Sequence, residues 1–483
     1  MPTPKPLDNY QSYKGLPQLA GLCTVEEAAR PGLSVEECVR RLKRFHYCFK
    51  RLHQILTARI TAEPIYELKI GFAHHAYLCA EHATALRTRI AEMREPPLGL
   101  EDIPHPALEV FFDEILNAPR TEELLFGVYD AAIGFLRLII QEYMDTTNPL
   151  ADAPSRRLLR FACLELDDMR EFYQRANSAK WSGDCFTLIE WDERVLQPLL
   201  RLYEGMGYET PVGHVPAGTS DFPRRYSKSP FTYDPIPRRD ERFSDPWNQG
   251  VNAEAFLYDE TKPARAKALM MLYKRLREID VPEMMASIIT QTTGKPWGYY
   301  RDMSRQLWDE ARHAMMGEVG FVALGVDWTQ VKIAFNWSYR LNTECTPMER
   351  HCVLYFIEQG LMPKTGKRYE FETGQASGLP LIATIQDFDW ADEVLHSQIG
   401  RQWYVPEFGS LQKALEFGDA AWSKVLSNWA TVKEKGLTRH ENWWPAVYRQ
   451  ACEAEGVPPD PAVLAFDETY EGKRADLQRV AAE

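Results

Sequence analysis

The sequence has no apolar run reaching the roughly 18 residues that a membrane-spanning helix needs, although it is 483 residues long. Its opening, Met-Pro-Thr-Pro-Lys, lacks an apolar core behind a basic end, so no secretory signal is expected. The nine cysteines are scattered, odd in number and without a Cys-x-x-Cys pair. That argues against a disulfide framework or a zinc ribbon and makes the reducing cytoplasm the simplest compartment. Basic residues are in deficit: the net charge of −13 sets aside nucleic acid as the main partner and reads as a device for solubility. Alternating Val/Ile/Thr runs are nearly missing, which argues against a large sheet. No Gly-x-Gly-x-x-Gly follows a strand pattern, Thr365-Gly-Lys-Arg lacks the rest of a phosphate loop, and no Ser or Cys nucleophile motif stands out. A reductase module is therefore not expected in the chain. Histidine is scarce at 11, so where it falls is informative.

What is present is helix-forming sequence. Hydrophobic residues make up 45%, too many for a disordered chain. Long stretches rich in Ala, Leu, Glu, Arg and Met carry helical periodicity, and the fold class expected is all-α. Four regions are expected. Residues 1–210 read as an N-terminal helical domain. Residues 211–255, holding Pro, Gly, Ser and arginines, read as a loop or linker, best taken as a surface tether. Residues 256–408 form a second helical domain, with helices expected at 264–279, 282–293, 297–324, 347–359 and 380–405. Residues 409–483 form a helical extension in which Trp422, Trp429, Trp443 and Trp444 serve packing.

Two segments of the second domain repeat one pattern. The first is Asp309-Glu310-Ala-Arg-His313-Ala-Met-Met-Gly317, the second Asp392-Glu393-Val-Leu-His396-Ser-Gln-Ile-Gly400. Both read Asp-Glu-x-x-His-x-x-x-Gly. Glu and His three apart lie one helical turn from each other, so both reach a common point beside the helix. An exposed charge pair is the bland alternative for one such motif; two with the same flanks are hard to obtain by chance. The preceding helices repeat as well: Glu283 and Glu349 each follow a proline suited to a helix start and each stand eleven residues before a glycine, Gly294 and Gly360. The third helix leaves an alternative open, since Glu358 rivals Glu349. Four carboxylates and two imidazoles are the inventory of a two-metal site in a four-helix bundle. The carboxylates neutralise two divalent ions, and imidazole favours iron-type ions over calcium or magnesium.

On these residues, the region from 264 to 405 resembles the ferritin-like superfamily of di-iron carboxylate proteins, and Asp-Glu-x-Arg-His is most like its oxygen-activating branch of oxidases and oxygenases. Leu395 replaces the Arg of the second motif. The resemblance implies a ferritin-like four-helix bundle holding two Fe ions, with Mn or a mixed Mn/Fe pair as the alternative. It implies Glu310 and Glu393 as bridging ligands, Glu283 and Glu349 as terminal carboxylates, and His313 and His396 as one imidazole per metal. The metal ligands themselves would then be the catalytic groups. Asp309 would orient His396, and Asp392 would orient His313, as a carboxylate behind a ligating His does. The activity implied is O2-dependent oxidation of a small organic substrate, with electrons from the substrate or a separate donor and a second copy of the chain as a further candidate partner. A di-manganese catalase-like protein, a ferroxidase and a helical interaction protein with a structural metal are the alternatives.

Around this site, Tyr299, Thr290 and Cys352 are candidate pocket or redox residues, with packing the simpler role for Tyr299 and an inert thiol the simpler one for Cys352. Gly317 and Gly400 allow close helix approach or enlarge a cavity. In the N-terminal half, Glu67, His74, His75, Glu81 and His82 cluster, and Glu165 and Asp168 sit where a partner motif would. No Glu-x-x-His survives there, so this half reads as a companion or degenerate ferritin-like bundle without metal.

Overall fold

A computed structural model describes residues 10–96, 98–178, 185–206, 222–248, 251–363, 366–426, 432 and 434–469. Trp429, Thr365 and the stretch 211–221 lie outside them. Helix accounts for 71% of the described residues and no strand is found among them, about twice the helix of an average globular protein. The protein is all-α, and no helix is long and apolar enough to cross a membrane.

The chain forms two compact units, one of Met1–Ile55 with Leu78–Thr232 and one of Leu56–Tyr77 with Tyr233–Glu483. This differs from the expected division in two ways. Residues 56–77 belong with the C-terminal half, and the residues after 408 share that unit instead of standing apart. The helices in the first part of the chain are α1 (Val35–Arg59), α2 (Tyr66–Met93), α3 (Pro106–Leu116), α4 (Gly134–Thr146), α5 (Ala153–Asn177) and α6 (Gln197–Met206). In the first unit His82 Nε2 lies 2.6 Å from Glu165 Oε2, on α2 and α5. The described part of the 211–255 segment is not a loose tether. In the first unit, Glu114 of α3 accepts the backbone N–H groups of Arg225, Tyr226 and Ser227. In the second, Arg238 N donates to Thr61 O at 2.9 Å, and the Arg239 side chain is 3% exposed.

The second unit continues with α7 (Ala264–Arg277), α8 (Asp280–Gln291), α9 (Trp297–Ala323), α10 (Asn336–Glu344), α11 (Pro347–Gly360), α12 (Lys367–Ala376), α13 (Pro380–Trp403), α14 (Leu411–Leu426) and α15 (Trp444–Glu455). Five of these match the expected helices to within about two residues; α10 and α12 lie in segments that the periodicity left as connections. Helices α7, α9, α13 and α11 are neighbours in that order, with α8 against α9 and α11, and α12 against α7 and α13. Close approach of α7 and α9 depends on Gly317. A Cβ there would stand 2.4 Å from Leu276 N and 2.8 Å from Leu272 O. Gly400 of α13 likewise lies under the Tyr355 ring of α11. Both glycines therefore bring helices together. Trp443 and Trp444 are buried, and Trp444 Nε1 donates to Val463 O at 2.8 Å.

Candidate metal centre

The two Asp-Glu-x-x-His motifs meet. On α9, Glu310 and His313 project one turn apart toward α13, which presents Glu393 and His396 in the same way. All four are buried. The carboxylate of Glu310 lies between the two imidazoles: Oε1 is 3.2 Å from His396 Nδ1 and Oε2 is 3.6 Å from His313 Nδ1. Two groups with metal-ligating geometry result. One is Glu278, His313, Asp389 and Glu393; the other is Glu310, Glu358, Glu393 and His396. Within each, the ligand atoms lie within 4.8 Å of one another, and Glu393 belongs to both.

The aspartates stand where a carboxylate behind a ligating imidazole would. His313 Nε2 is 3.1 Å from Asp392 Oδ2, and His396 Nε2 is 3.4 Å from Asp309 Oδ2. Each aspartate thus reaches across to the histidine of the other helix, turning both Nδ1 atoms into the cluster. Arg312 joins the pair, donating to Asp309 at 2.5 Å and to Asp392 at 2.7 Å. One arginine serves both aspartates, which is why Leu395 in the second motif leaves neither unsupported.

Two expected ligands are not at the cluster. Glu349 is the third residue of a capping box at the start of α11: its N–H donates to Thr346 Oγ1 and its carboxylate accepts from Thr346 N at 2.7 Å. Its side chain is committed to the helix end. Glu283 is fully buried but paired elsewhere in the unit. Lys69 donates to it, Arg239 Nη2 donates at 2.9 Å and Ser338 Oγ donates at 3.0 Å. Burial alone would raise its carboxyl, but Arg239 and Lys69 outweigh that and hold it down to about 2. Glu278, which caps α7, and Glu358, about two and a half turns further along α11 than Glu349, occupy the positions expected for Glu283 and Glu349. Glu358 was the open alternative; Glu278 was missed. The sequence carried a signal for both. Glu278 lies 32 residues before Glu310 and Glu358 lies 35 before Glu393, a closer repeat than the 27 and 44 of Glu283 and Glu349.

Three further charged groups were also missed. Asp389, one turn before Glu393, accepts from Lys367 Nζ at 2.9 Å and pairs with Arg275. Lys367 also lies 2.9 Å from Glu393 Oε1, and Arg275 lies 2.9 Å from Glu278 Oε1. These cations offset only part of the acid. Burial raises Glu358 well above the usual carboxylate range, and the Glu393 carboxylate pushes it in the same direction. Burial alone would depress His313, but Asp392, Glu278 and Glu310 push it up to about 10. His396 is raised well above its ordinary value in the same way, by Asp309, Glu310 and Glu393 against its burial. A buried cluster that draws protons onto groups that are ordinarily neutral or ionised is short of positive charge.

The donor atoms themselves fit a metal. His313 Nδ1, His396 Nδ1, Glu278 Oε2, Glu358 Oε2 and Glu393 Oε2 are all buried without a hydrogen-bond partner. Buried polar atoms are nearly always paired. Here five without a hydrogen-bond partner converge from four helices, with an imidazole in each group, a donor set that can hold a metal ion.

A cavity of about 290 Å³ opens onto this cluster, reaching Glu278, Glu310, Glu358 and Glu393. Its remaining wall is mainly apolar, with Met284, Trp337, Leu354, Ile357 and Trp422 prominent. Tyr299, Thr290 and Cys352 do not line it. Tyr299 is buried at a second cavity, its hydroxyl 3.4 Å from His351 Nδ1. Thr290 lines neither cavity, and burial pushes the Cys352 thiol up to about 12, away from reactivity. Searches against protein-family models, curated proteins and solved structures find no match for this chain.

Proposed function

We propose that the second unit is a ferritin-like bundle holding two metal ions and that the protein is a non-haem di-iron oxidase or oxygenase acting on a small organic substrate. The observation that carries this reading is the pair of ligand groups sharing Glu393, with an aspartate-backed imidazole in each. In it, Glu278 and His313 would hold one ion, Glu358 and His396 the other, and Glu310 and Glu393 would span both. When bound, the ions would supply O2 activation and the oxidising equivalents. The chain's own groups do the rest. Asp392 and Asp309 each hold a proton on Nε2 of one histidine, which fixes the tautomer and keeps Nδ1 as a donor. Lys367 holds Glu393 from outside the cluster, and Arg275 does the same for Glu278. The apolar wall of Met284, Leu354 and Ile357 excludes water from the space in which a substrate would lie against the cluster. No phosphate loop or dinucleotide motif serves as a reductant site, so the electrons would come from the substrate or a separate donor.

Metal analysis and oxygen uptake test this together. Purified protein should carry about two iron ions per chain, and Glu358→Ala should lose them while Glu349→Ala retains them. Reduced protein mixed with O2 should consume it and change its visible absorption within seconds. Manganese in place of iron would favour peroxide disproportionation. Full metal content in Glu358→Ala would refute the ligand set.

A further inference from the structure

In the wall of the cavity beside the cluster stands an uncharged polar group whose hydrogen-bonding capacity is unspent. Asn336 is the first residue of α10 and is 1% exposed, yet it is part of the cavity wall. Its amide orientation is fixed by chemistry: Arg340 Nε, a group that can only donate, lies 3.0 Å from Oδ1. The other edge is therefore the NH2 group, and Nδ2 has no partner. A buried donor left unpaired is costly, unless something that binds there accepts from it.

The charges around the cavity narrow what that something is. Each cation at the wall already has an acid: Arg277 lies 2.6 Å from Glu254, Lys274 pairs with Glu370, Arg275 is 2.9 Å from Glu278 and Lys367 is 2.9 Å from Glu393. Asp280, also at the wall, is held by Arg239 at 3.3 Å. A charged ligand would have to break one of these buried pairs, which is expensive. An uncharged one would meet Met284, Leu354, Ile357 and Trp337 with its body and Nδ2 with an oxygen. We infer that Asn336 is the specificity-determining donor of this cavity, selecting an uncharged organic substrate with an apolar body and one oxygen acceptor, of the ketone, ester or alcohol class, over its hydrocarbon counterpart.

The inference rests on the proposed oxygenase reading for the word substrate, but its test reads binding alone. Acetophenone and ethylbenzene have nearly the same shape and differ in the carbonyl. Their dissociation constants are measured by calorimetry or ligand-observed NMR on the full-length, metal-loaded protein without reductant. Acetophenone should bind about tenfold more tightly, the low end of what an unmet donor costs. Asn336→Asp keeps the shape and the acceptor for Arg340 but replaces the donor edge with an acceptor. It should abolish or reverse that preference while leaving ethylbenzene within about threefold. Asn336→Leu should do the same with both acceptor and donor gone. Equal binding of the two compounds by the wild type, an unchanged preference in Asn336→Asp, tighter binding of benzoate than of acetophenone, or no binding of either compound would each overturn the inference. Any of these with metal content and oxygen uptake intact leaves the proposed function standing; loss of metal from the wild type itself refutes that reading instead.

Discussion

Filling the cluster with metal should release protons, and the number can be worked from the structure. In the metal-free protein His313 titrates at about 10, so at pH 7 it carries a proton on the nitrogen that a metal needs. His396 is raised well above its ordinary value and carries a second. Glu358, raised well above the usual carboxylate range, adds a third wherever the pH is below its own pKa. Metal binding requires all three groups deprotonated, so two divalent ions should displace two to three protons at pH 7. For His313 alone the competing proton costs about 4 kcal/mol at that pH, taking about 1.4 kcal/mol per pH unit below its pKa. The sign follows directly. Below these raised pKa values protons compete and apparent affinity is weak; as pH rises toward 10 the competition at His313 fades and affinity climbs. Calorimetric titration of metal-free protein with Co(II), in two buffers of different ionisation enthalpy, gives the proton count. Glu349→Ala should release the same number, because its carboxylate only caps a helix. Release of no protons at pH 7 would mean that the imidazoles are neutral without metal and that the carboxylates do not close on them, which refutes the electrostatic account of the site.

The same shifts predict that metal-free protein loses stability with rising pH. His313 and His396 have raised pKa values in the fold, so their contribution is complete below about 6.5 and fades as pH passes through the folded values, which for His313 means about 10. Melting temperature should fall across that window without metal, and a flat profile would count against it. Gly317→Ala places a Cβ 2.4 Å from the α7 backbone, and overpacking of this kind costs about 1–3 kcal/mol. Chemical denaturation measures it, and metal content should drop as well because Glu278 caps the displaced helix. Glu283→Ala leaves Lys69 and Arg239 buried beside a missing acid and should cost about 3–5 kcal/mol. Glu349→Ala should cost about 1 kcal/mol, the loss of a cap. Equal costs for the two would contradict their different settings. Lys367→Met removes the ammonium that holds Glu393 and Asp389 and should tighten metal binding while destabilising the metal-free protein. Weaker metal binding in that variant would show that the ammonium positions Glu393 instead of competing for it.

Helices and motif histidines were readable from sequence because their signals are local. Helical periodicity over α9 and α13 gives the axis, and Glu and His three apart on each fix which stripe faces inward. Even the crossed contacts of Asp309 with His396 and of Asp392 with His313 follow once two like helices are set side by side. The terminal carboxylates were misread because the expectation leaned on proline and glycine punctuation. Thr346-Pro-Met-Glu349 is itself a complete capping box, which gives Glu349 a local role and removes it from the search for ligands. Glu283 also follows a proline, but its partners Lys69 and Arg239 are more than 200 and more than 40 residues away in sequence, beyond what spacing can show. Glu278 was hidden for the opposite reason: in Arg275-Leu-Arg-Glu278 it looks like one acid of an ordinary exposed i, i+3 pair, and only packing of α7 on Gly317 turns that turn inward. Lys367 is hidden because α12 falls in an expected connecting loop, whereas Asp389 and Arg275 lie on expected helices but belong to no repeated motif.

The missed charges alter the electrostatics of the centre. Four carboxylates alone would balance two divalent ions, as the sequence suggested. The cluster instead gathers Glu278, Glu310, Glu358, Glu393 and Asp389 against Arg275 and Lys367, leaving it about one negative charge short of neutralising two such ions. Asp389 is held by both cations, so it is the acid least free to turn toward a metal, and Glu310 is the better candidate to complete the group of Glu278, His313 and Glu393. Removing Asp389 would then free Lys367 and Arg275 to pull on Glu393 and Glu278, the two ligands that they already touch. Asp389→Asn should therefore weaken metal binding through misplaced ligands, although no ligand is lost. Lys367→Met in the same chain should restore part of the affinity. Additive losses in the double variant would instead make Asp389 a ligand in its own right.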